Sequence, residues 1–221
     1  QESYIETVLR RFSMQDAKKG FLPFRHGIHL SQEMCPKTAS EIAEMRRIPY
    51  ASAVGSLMYA MLCTRPDICF AVGMVARYQS NPGQGHWTAV KNILKYLKRT
   101  KDYVLVYNAA ELCPLGYTDS DFQADLDSRK STSGYVFTLG GGAIVWKSVK
   151  QKCIADSTME AEYVAASEAA KEAVWLKNFL LDLGVVTNMS KSITIIVTIL
   201  VLWQIRRNQE LTKRANTLRG S

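Results

Sequence analysis

The stretch from residue 115 to residue 162 constrains the fold most, because its pattern predicts three short strands followed by a helix. Residues 115–119 form an apolar run that ends in an acid, and residues 134–139 are aromatic and β-branched, which suits a pleated surface. Three consecutive glycines then allow a tight turn before the return strand at 143–148. Two strands joined by so short a turn are predicted to be antiparallel.

A long helix is predicted after this hairpin, over residues 157–183. Ser157 and Glu160 have capping-box spacing at its start, and Gly184 follows its end as a typical C-terminal stop. Trp175, Phe179 and Leu183 recur every fourth residue, so we expect this stripe to pack in the core rather than to bind a ligand.

Three carboxylates stand at the junctions of these elements. Asp119 lies where the first strand becomes polar, and Glu160 and Glu162 lie in the first two turns of the helix. A helix packed across the sheet brings one glutamate near the strand end, where two carboxylates repel unless one is protonated or a cation lies between them. Oxygen ligands of this kind suit magnesium or manganese. Spacing alone favours a simpler interpretation, a turn aspartate and a solvated helix start, because short acid patterns are common.

Four sequence segments within residues 115–184 carry a family resemblance. They read G-Y-T-D-S-D, D-S-R-K-S-T-S-G-Y-V-F, A-I-V-W-K-S and S-T-M-E-A-E-Y-V-A-A-S-E-A. The stretch closely resembles the ribonuclease H domain of the Pol polyprotein of copia-type LTR retrotransposons, especially plant elements. The resemblance implies a mixed sheet with flanking helices that cuts the RNA strand of an RNA–DNA hybrid with two Mg²⁺ or Mn²⁺ ions.

The resemblance also assigns site residues. It places the family's first catalytic, metal-binding aspartate at Asp119 and the family's glutamate at Glu162, because A-E-Y-V-A-A matches the helical A-E-x-x-A pattern. Glu160 is the alternative, and the sequence leaves this choice open.

The segment R-K-S-T-S in the second domain is predicted to contact phosphate, because it combines two cations with three hydroxyls. An ordinary polar loop explains the same composition equally well. The predicted nucleic-acid-binding residues are Arg129, Lys130, Ser131, Thr132, Ser133, Lys147 and Lys150.

Residues 1–108 predict a mainly helical module. Helices are expected over 3–14, 50–63, 66–79 and 86–99, and residues 17–48 are expected to form an extended connector. The segments P-Y-A-S-A-V-G-S-L-M-Y-A and H-W-T-A-V-K-N-I-L-K-Y-L-K-R-T resemble the thumb and connection region that joins reverse transcriptase to ribonuclease H in the same polyprotein. The polymerase motif Tyr-Val-Asp-Asp is absent, so we expect no DNA synthesis. The chain reads as an excerpt of a longer protein.

The expected organisation has three parts. Residues 1–108 form the connection-like module, residues 109–195 a truncated ribonuclease H-like domain of α/β (α+β) class, and residues 196–221 a divergent basic tail. Residues 102–107 read as a strand, and the domain boundary is expected within 108–114.

The tail departs from the family after residues 193–195, which fit its next strand. The family continues with Cys-Asp-Asn and later supplies a fourth acid, whereas no aspartate follows Asp182 here. Residues 196–205 can be encoded by codons that, read two nucleotides later, give Cys-Asp-Asn-Thr-Gly-Ala-Val-Ala-Asn. We therefore hypothesise a frameshift near Ile195. Because the third and fourth acids are missing, we expect little or no cleavage, and a non-catalytic nucleic-acid-binding or protein-interaction remnant is the alternative.

Charge and cysteine content limit the partners. The net charge is +8, but six of the cations and one acid follow residue 185, so the basic character belongs mostly to the tail. The apolar run at 193–203 is far shorter than the ~20 residues that span a bilayer, so no membrane is expected. Five cysteines without metal-ligand spacing indicate reduced thiols and an intracellular location. The expected partners are an RNA–DNA hybrid and the rest of the reverse transcriptase polyprotein.

Overall fold

The computed structural model describes residues 1–25, 27–108, 112–184 and 192–197. Within these ranges a helical module precedes a sheet with one long helix on it, which confirms the predicted mixed α/β class. The helices of the first module are α1 (Glu2–Arg11), α2 (Ala39–Arg46), α3 (Tyr50–Cys63), α4 (Cys69–Ala76) and α5 (Gln84–Arg99), with 3₁₀ turns at Gln32–Met34 and Pro66–Ile68. The second module contains β1 (Leu115–Asp121), β2 (Thr132–Leu139), β3 (Gly142–Lys150), α6 (Thr158–Asp182) and β4 (Thr194–Val197).

The core of the helical module lies between α1, α3, α4 and α5. Each helix contributes a stripe of apolar side chains, as the 3.6-residue period predicts. Helix α3 has the predicted bounds, and α5 begins two residues before its predicted start. The most deeply buried core residues include Ile5, Val54, Leu57, Val72, Val75, Val90, Ile93, Leu94 and Leu97.

The predicted connector at 17–48 is wrong in one part, because it contains α2. This short helix carries a capping box, in which Thr38 Oγ1 accepts from the amide of Glu41 at 3.2 Å and Glu41 Oε2 accepts from the amide of Thr38 at 3.0 Å. Met45 is its one buried side chain, so the hydrophobic pattern gives no periodic signal there. Local capping rather than packing therefore defines this helix.

The sheet has the strand order β3-β2-β1-β4. The pairs β1–β2 and β2–β3 are antiparallel, as predicted, and β4 runs parallel to β1 with Val197 opposite Thr118. Helix α6 connects β3 to β4 across the sheet. A mixed sheet with this connection is consistent with a ribonuclease H-like fold. Gly116 lies opposite Phe137, and a Cβ at Gly116 would come within 2.5 Å of the Phe137 ring. Glycine at this position therefore lets the buried ring lie across β1.

Helix α6 ends as predicted but presents a different face to the sheet. Gly184 adopts a φ of +65° just after the helix, which is the left-handed conformation of a C-terminal stop. The predicted core stripe of Trp175, Phe179 and Leu183 is wrong, because all three side chains are exposed. The buried face consists instead of Ala161, Glu162, Ala165, Ala169, Ala173, Leu176 and Leu180. The small alanines allow the helix to approach the sheet closely. The prediction was based on the large apolar residues of the helix and therefore chose the wrong face.

The strand predicted at 102–107 is also wrong, since the structure shows no strand at 103–108. This segment lies against the turn between β2 and β3, where the amide of Asn108 donates to Gly140 O at 2.8 Å and the Tyr107 hydroxyl donates to Ala143 O at 2.8 Å. Its β-branched residues lack a continuous partner ladder. Residues 109–111 of the predicted boundary, and residues 198–221 of the predicted tail, lie outside the described ranges.

Candidate active site

The site is built where α6 crosses the end of β1. Within the described residues, β4 pairs with β1 only as far as Val197, one residue short of the position beside Asp119. Glu162, in the second turn of α6, interacts with Ser120 and Asp119 at this end of the sheet. Its side chain is buried, whereas Asp119 is exposed. The residue after Val197 in the sequence is Thr198, which has no carboxylate.

Glu162 is held in an unfavourable electrostatic position. Burial raises its pKa, contacts with Ser120 lower it, and the negative charge of Asp119 raises it again, so that the net pKa lies above that of an ordinary glutamate. Glu162 Oε2 is buried without a hydrogen-bond partner among the described residues. Such an unsatisfied oxygen costs about 1–3 kcal/mol. A cation would satisfy this oxygen and relieve the repulsion between the two carboxylates.

Glu160 lies in the first turn of α6 and serves the helix start. Its amide donates to Ser157 Oγ at 3.1 Å, and its Oε2 accepts from the amide of Asp156 at 2.8 Å. The structure therefore brings Glu162, and not Glu160, against Asp119. Asp119 itself accepts a hydrogen bond from the amide of Ser120 at 3.0 Å.

The described residues bring only two carboxylates together at this end of the sheet. Two carboxylates fit the oxygen preference of Mg²⁺ or Mn²⁺. No group of three or more Asp, Glu, His or Cys side chains within the described ranges is placed to hold an ion. Asp125, which follows Asp119 closely in the sequence, accepts from Arg77 at 2.9 Å and from Lys150 at 3.0 Å, so its carboxylate is already paired with two cations. The two-metal set that the family resemblance implies is thus incomplete in the described part of the chain.

The three hydroxyls predicted to contact phosphate point into the protein instead. They are buried, and each one already takes part in an internal hydrogen bond. Ser131 ends the β1–β2 loop, Thr132 and Ser133 begin β2, and Arg77 of the helical module lies against Thr132. Ser131 Oγ accepts from the amide of Gln123 at 3.1 Å, Thr132 Oγ1 from Arg77 at 3.0 Å, and Ser133 Oγ from Gln151 Nε2 at 2.8 Å.

The cations of the same prediction divide into two groups. Lys130 Nζ donates to Lys152 O at 2.6 Å, and Lys150 pairs with Asp125. Arg129 and Lys147 are exposed, and these two remain available to an anionic ligand.

A cleft of about 540 Å³ opens beside Asp119, between the helical module and strands β1 to β3. Sequence reasoning did not predict it, because its walls come from residues far apart in the chain. Pro66, Asp67 and Phe70 of the helical module form one wall, so a ligand at Asp119 would also meet that module. The lining includes Phe70, Tyr117, Asp119, Asp121, Trp146 and Lys147.

Comparison with known proteins places the chain in a family. The Pol polyprotein from transposon TNT 1-94 of Nicotiana tabacum is 54% identical over 184 residues, which cover 83% of this chain and 14% of the polyprotein. The Pol polyprotein from transposon RE1 of Arabidopsis thaliana is 33% identical over 186 residues, or 84% of this chain and 12% of that protein. The chain belongs to the copia-type Pol polyprotein family. The resemblance seen in the sequence is thereby confirmed.

A different kind of relative shares much of the same sequence. The secreted RxLR effector protein 161 of Plasmopara viticola is 49% identical over 133 residues, which cover 60% of this chain and 94% of the effector. No family model and no solved structure matches the chain. Among the described residues, no helix combines the length and apolar character needed to cross a membrane.

Proposed function

We propose that the chain acts as the connection and ribonuclease H part of a retrotransposon Pol polyprotein and binds an RNA–DNA hybrid at the Asp119–Glu162 end of the sheet. The supporting observation is the buried Glu162 Oε2, which lacks a hydrogen-bond partner in the described structure and faces a second carboxylate. A buried oxygen of this kind is stabilised when a ligand satisfies it, and a buried acid with a raised pKa beside a second carboxylate is typical of functional sites. The rest of the polyprotein is the proposed protein partner.

Asp119 and Glu162 would hold Mg²⁺ or Mn²⁺. Such an ion, when bound, activates water and stabilises charge on a leaving phosphate oxygen. The protein contributes rigidity, because Asp119 lies on a paired strand and Glu162 on a packed helix. The exposed Arg129 and Lys147 offer positive charge to the phosphates of the hybrid.

The chain is proposed to bind hybrids but to cut them poorly. Magnesium requires a near-octahedral oxygen shell and gives up its waters reluctantly, so a two-ion site needs more than two carboxylates. No third acid joins Asp119 and Glu162 among the described residues, and no aspartate follows Asp182 in the sequence. A non-catalytic nucleic-acid-binding module is therefore the second candidate function.

Cleavage of end-labelled RNA in a hybrid, with magnesium and then with manganese, tests this proposal. The chain is compared with a version in which the tail from position 196 reads Cys-Asp-Asn-Thr-Gly-Ala-Val-Ala-Asn, and each is made with and without Asp119→Asn. We expect cleavage by the altered version alone, and its loss on Asp119→Asn. Equal cleavage by both versions, abolished in both by Asp119→Asn, would show that the missing acids are dispensable.

The proposed location is the reducing interior of the cell. All five cysteines are unpaired, and three of them (Cys63, Cys113 and Cys153) are exposed. Free exposed thiols persist where glutathione and thioredoxin keep them reduced. Nucleic-acid intermediates of reverse transcription would also be met there.

A further inference from the structure

A second charged surface lies on the helical module, where residues 18–25 run along α5. The amide of Gly20 donates to Lys95 O at 2.9 Å. A Cβ at Gly20 would lie only 3.0 Å from the Lys95 Cβ and 3.2 Å from the Tyr96 amide. This close backbone approach fixes the segment on the helix and places its cations next to those of α5.

A cleft of about 650 Å³, here called the cationic cleft, lies between this segment and α5. It is lined by cations and contains no carboxylate. None of its charged side chains forms an ion pair with any described residue, so their mutual repulsion is uncompensated. The lining residues that argue for a ligand are Lys18, Lys19, Arg25, Lys95 and Asn92.

A neighbouring cleft of about 430 Å³ shows the contrast. It shares Lys19 with the cationic cleft, but its other lysines already form contacts within the protein. Lys101 pairs with Glu2 at 3.1 Å and with Glu6 at 2.7 Å, and Lys98 Nζ donates to Ala17 O at 2.8 Å. Lys98 and Lys101 are thus engaged within the protein, whereas Lys18 and Lys95 of the cationic cleft form no ion pair with a described residue.

An exposed aromatic ring lies at the edge of the cationic cleft. Phe21 is 72% exposed, and the Arg99 guanidinium lies 4.0 Å from the centre of its ring. Leu22 beside it is also exposed. A ligand that fits both features carries several negative charges in series and flat apolar groups beside them. Single-stranded nucleic acid has this chemistry, since proteins bind it with a cationic groove and aromatic stacking platforms.

We propose that the cleft formed by Lys18, Lys19, Arg25 and Lys95 binds the phosphate backbone of single-stranded nucleic acid, with Phe21 stacking on a base. The site is separate from the Asp119–Glu162 pair and needs no metal ion. It would hold an unpaired strand while the second module holds a hybrid.

Binding is measured by fluorescence anisotropy with a labelled 12-nucleotide single strand in EDTA, over a series of salt concentrations. Lys19→Gln/Lys95→Gln is compared with Lys171→Gln/Lys177→Gln, which removes the same charge from α6. Each lost phosphate contact flattens the salt dependence of log K by about 0.7 for single strands. We expect a slope reduced by about 1.4 and at least tenfold weaker binding for the first double variant, with less than twofold change for the second.

Phe21→Ala separates stacking from charge. Its binding should weaken at least about fivefold with an unchanged salt slope, because stacking does not release counterions. Equal losses in the two lysine double variants, or an unchanged slope in Lys19→Gln/Lys95→Gln, would overturn the proposal. Equal affinity for a duplex of the same length, or for polyglutamate, would also overturn it.

The proposed nuclease site is tested separately in the same assay. Asp119→Asn should bind the single strand like the unaltered chain, whatever its cleavage activity. A loss of binding in Asp119→Asn would contradict a separate site. Thermal unfolding of the lysine and Phe21 variants by circular dichroism should match that of the unaltered chain, because the substituted side chains lie at the surface.

Discussion

Arg77 and Asp125 form an ion pair of 2.9 Å that joins the end of α4 to the loop between β1 and β2. The Asp125 carboxylate is buried and also pairs with Lys150 of β3 at 3.0 Å. Arg77 donates in addition to Thr132 at 3.0 Å. The Asp125 carboxylate thus connects the helical module, the β1–β2 loop and the sheet. Thr132, at the end of the D-S-R-K-S-T segment, takes part in the same internal contact.

Asp125→Asn is predicted to destabilise the fold strongly. The substitution leaves Arg77 and Lys150 without their shared counter-charge, and removal of one member of a buried pair typically costs 3–5 kcal/mol. Because Lys150 is partly exposed, we expect a loss of about 3 kcal/mol in the free energy of unfolding, measured by urea denaturation. Asp16→Asn, at an exposed position, is the matched control and should change stability by less than about 0.5 kcal/mol.

The same contact predicts a loss of stability in acid. Burial alone would raise the pKa of Asp125, but hydrogen bonds from Lys150 and Ser128 outweigh it and bring the pKa to about 2. The unfolded chain titrates near 3.9, so the stabilisation is complete above that pH and is lost as the pH falls toward about 2. The free energy of unfolding should decline over this window, and Asp125→Asn should decline less. Parallel curves for the two proteins would show that other acids control the effect.

Two neighbouring residues of α6 test which face of the helix is buried. Leu176 is 2% exposed and packs against the sheet, whereas Trp175 is 53% exposed and stacks on Phe179 at a ring distance of 5.0 Å. Leu176→Ala should lower the free energy of unfolding by about 2–5 kcal/mol. Trp175→Ala should lower it by less than about 1 kcal/mol, because little area is lost from the core. The reverse order would place the tryptophan stripe in the core.

These two residues also show what the sequence could predict. The positions of β2 and β3 followed from aromatic and β-branched residues and from the turn glycines, and α3 followed from its small and apolar residues between two prolines. The orientation of α6 did not follow, because its buried face is built from alanines that resemble any helical surface. That orientation also determines which glutamate meets Asp119, and it places Glu162 there rather than Glu160. Contacts such as that of Arg77 with Asp125 join residues 48 positions apart and leave no local pattern.

Gly116→Ala tests the packing of the sheet against α6. The added methyl group would lie 2.5 Å from the Phe137 ring, and this ring is fully buried, so it has no free space to move into. We expect a loss of about 1–3 kcal/mol in the free energy of unfolding. Gly55→Ala in α3 is the control, because no atom lies within 4 Å of the added methyl group. It should stabilise the protein by about 0.5–1 kcal/mol, since alanine favours a helix.

Glu162→Gln is predicted to raise the melting temperature in EDTA at neutral pH. Burial and the charge of Asp119 raise the pKa of Glu162, so ionising it in the folded state costs free energy that a neutral glutamine does not pay. Glu160→Gln is the matched control in the same helix, and it should lower stability slightly because its charge favours the helix start. A lower melting temperature for Glu162→Gln in EDTA would mean that Ser120 compensates the buried charge.

The pH dependence and the response to metal complete this test. Since the folded-state pKa is raised, the advantage of Glu162→Gln should be full above that pKa and should vanish below about 4.3, the value for an unfolded glutamate. Added Mg²⁺ or Mn²⁺ should raise the melting temperature of the unaltered chain with ion concentration, because a ligand that binds only the folded state stabilises it. Glu162→Gln and Asp119→Asn should respond less, whereas Glu160→Gln should respond fully. An equal response in all four proteins would show that the ions bind elsewhere and that the Asp119–Glu162 pair is not a metal site.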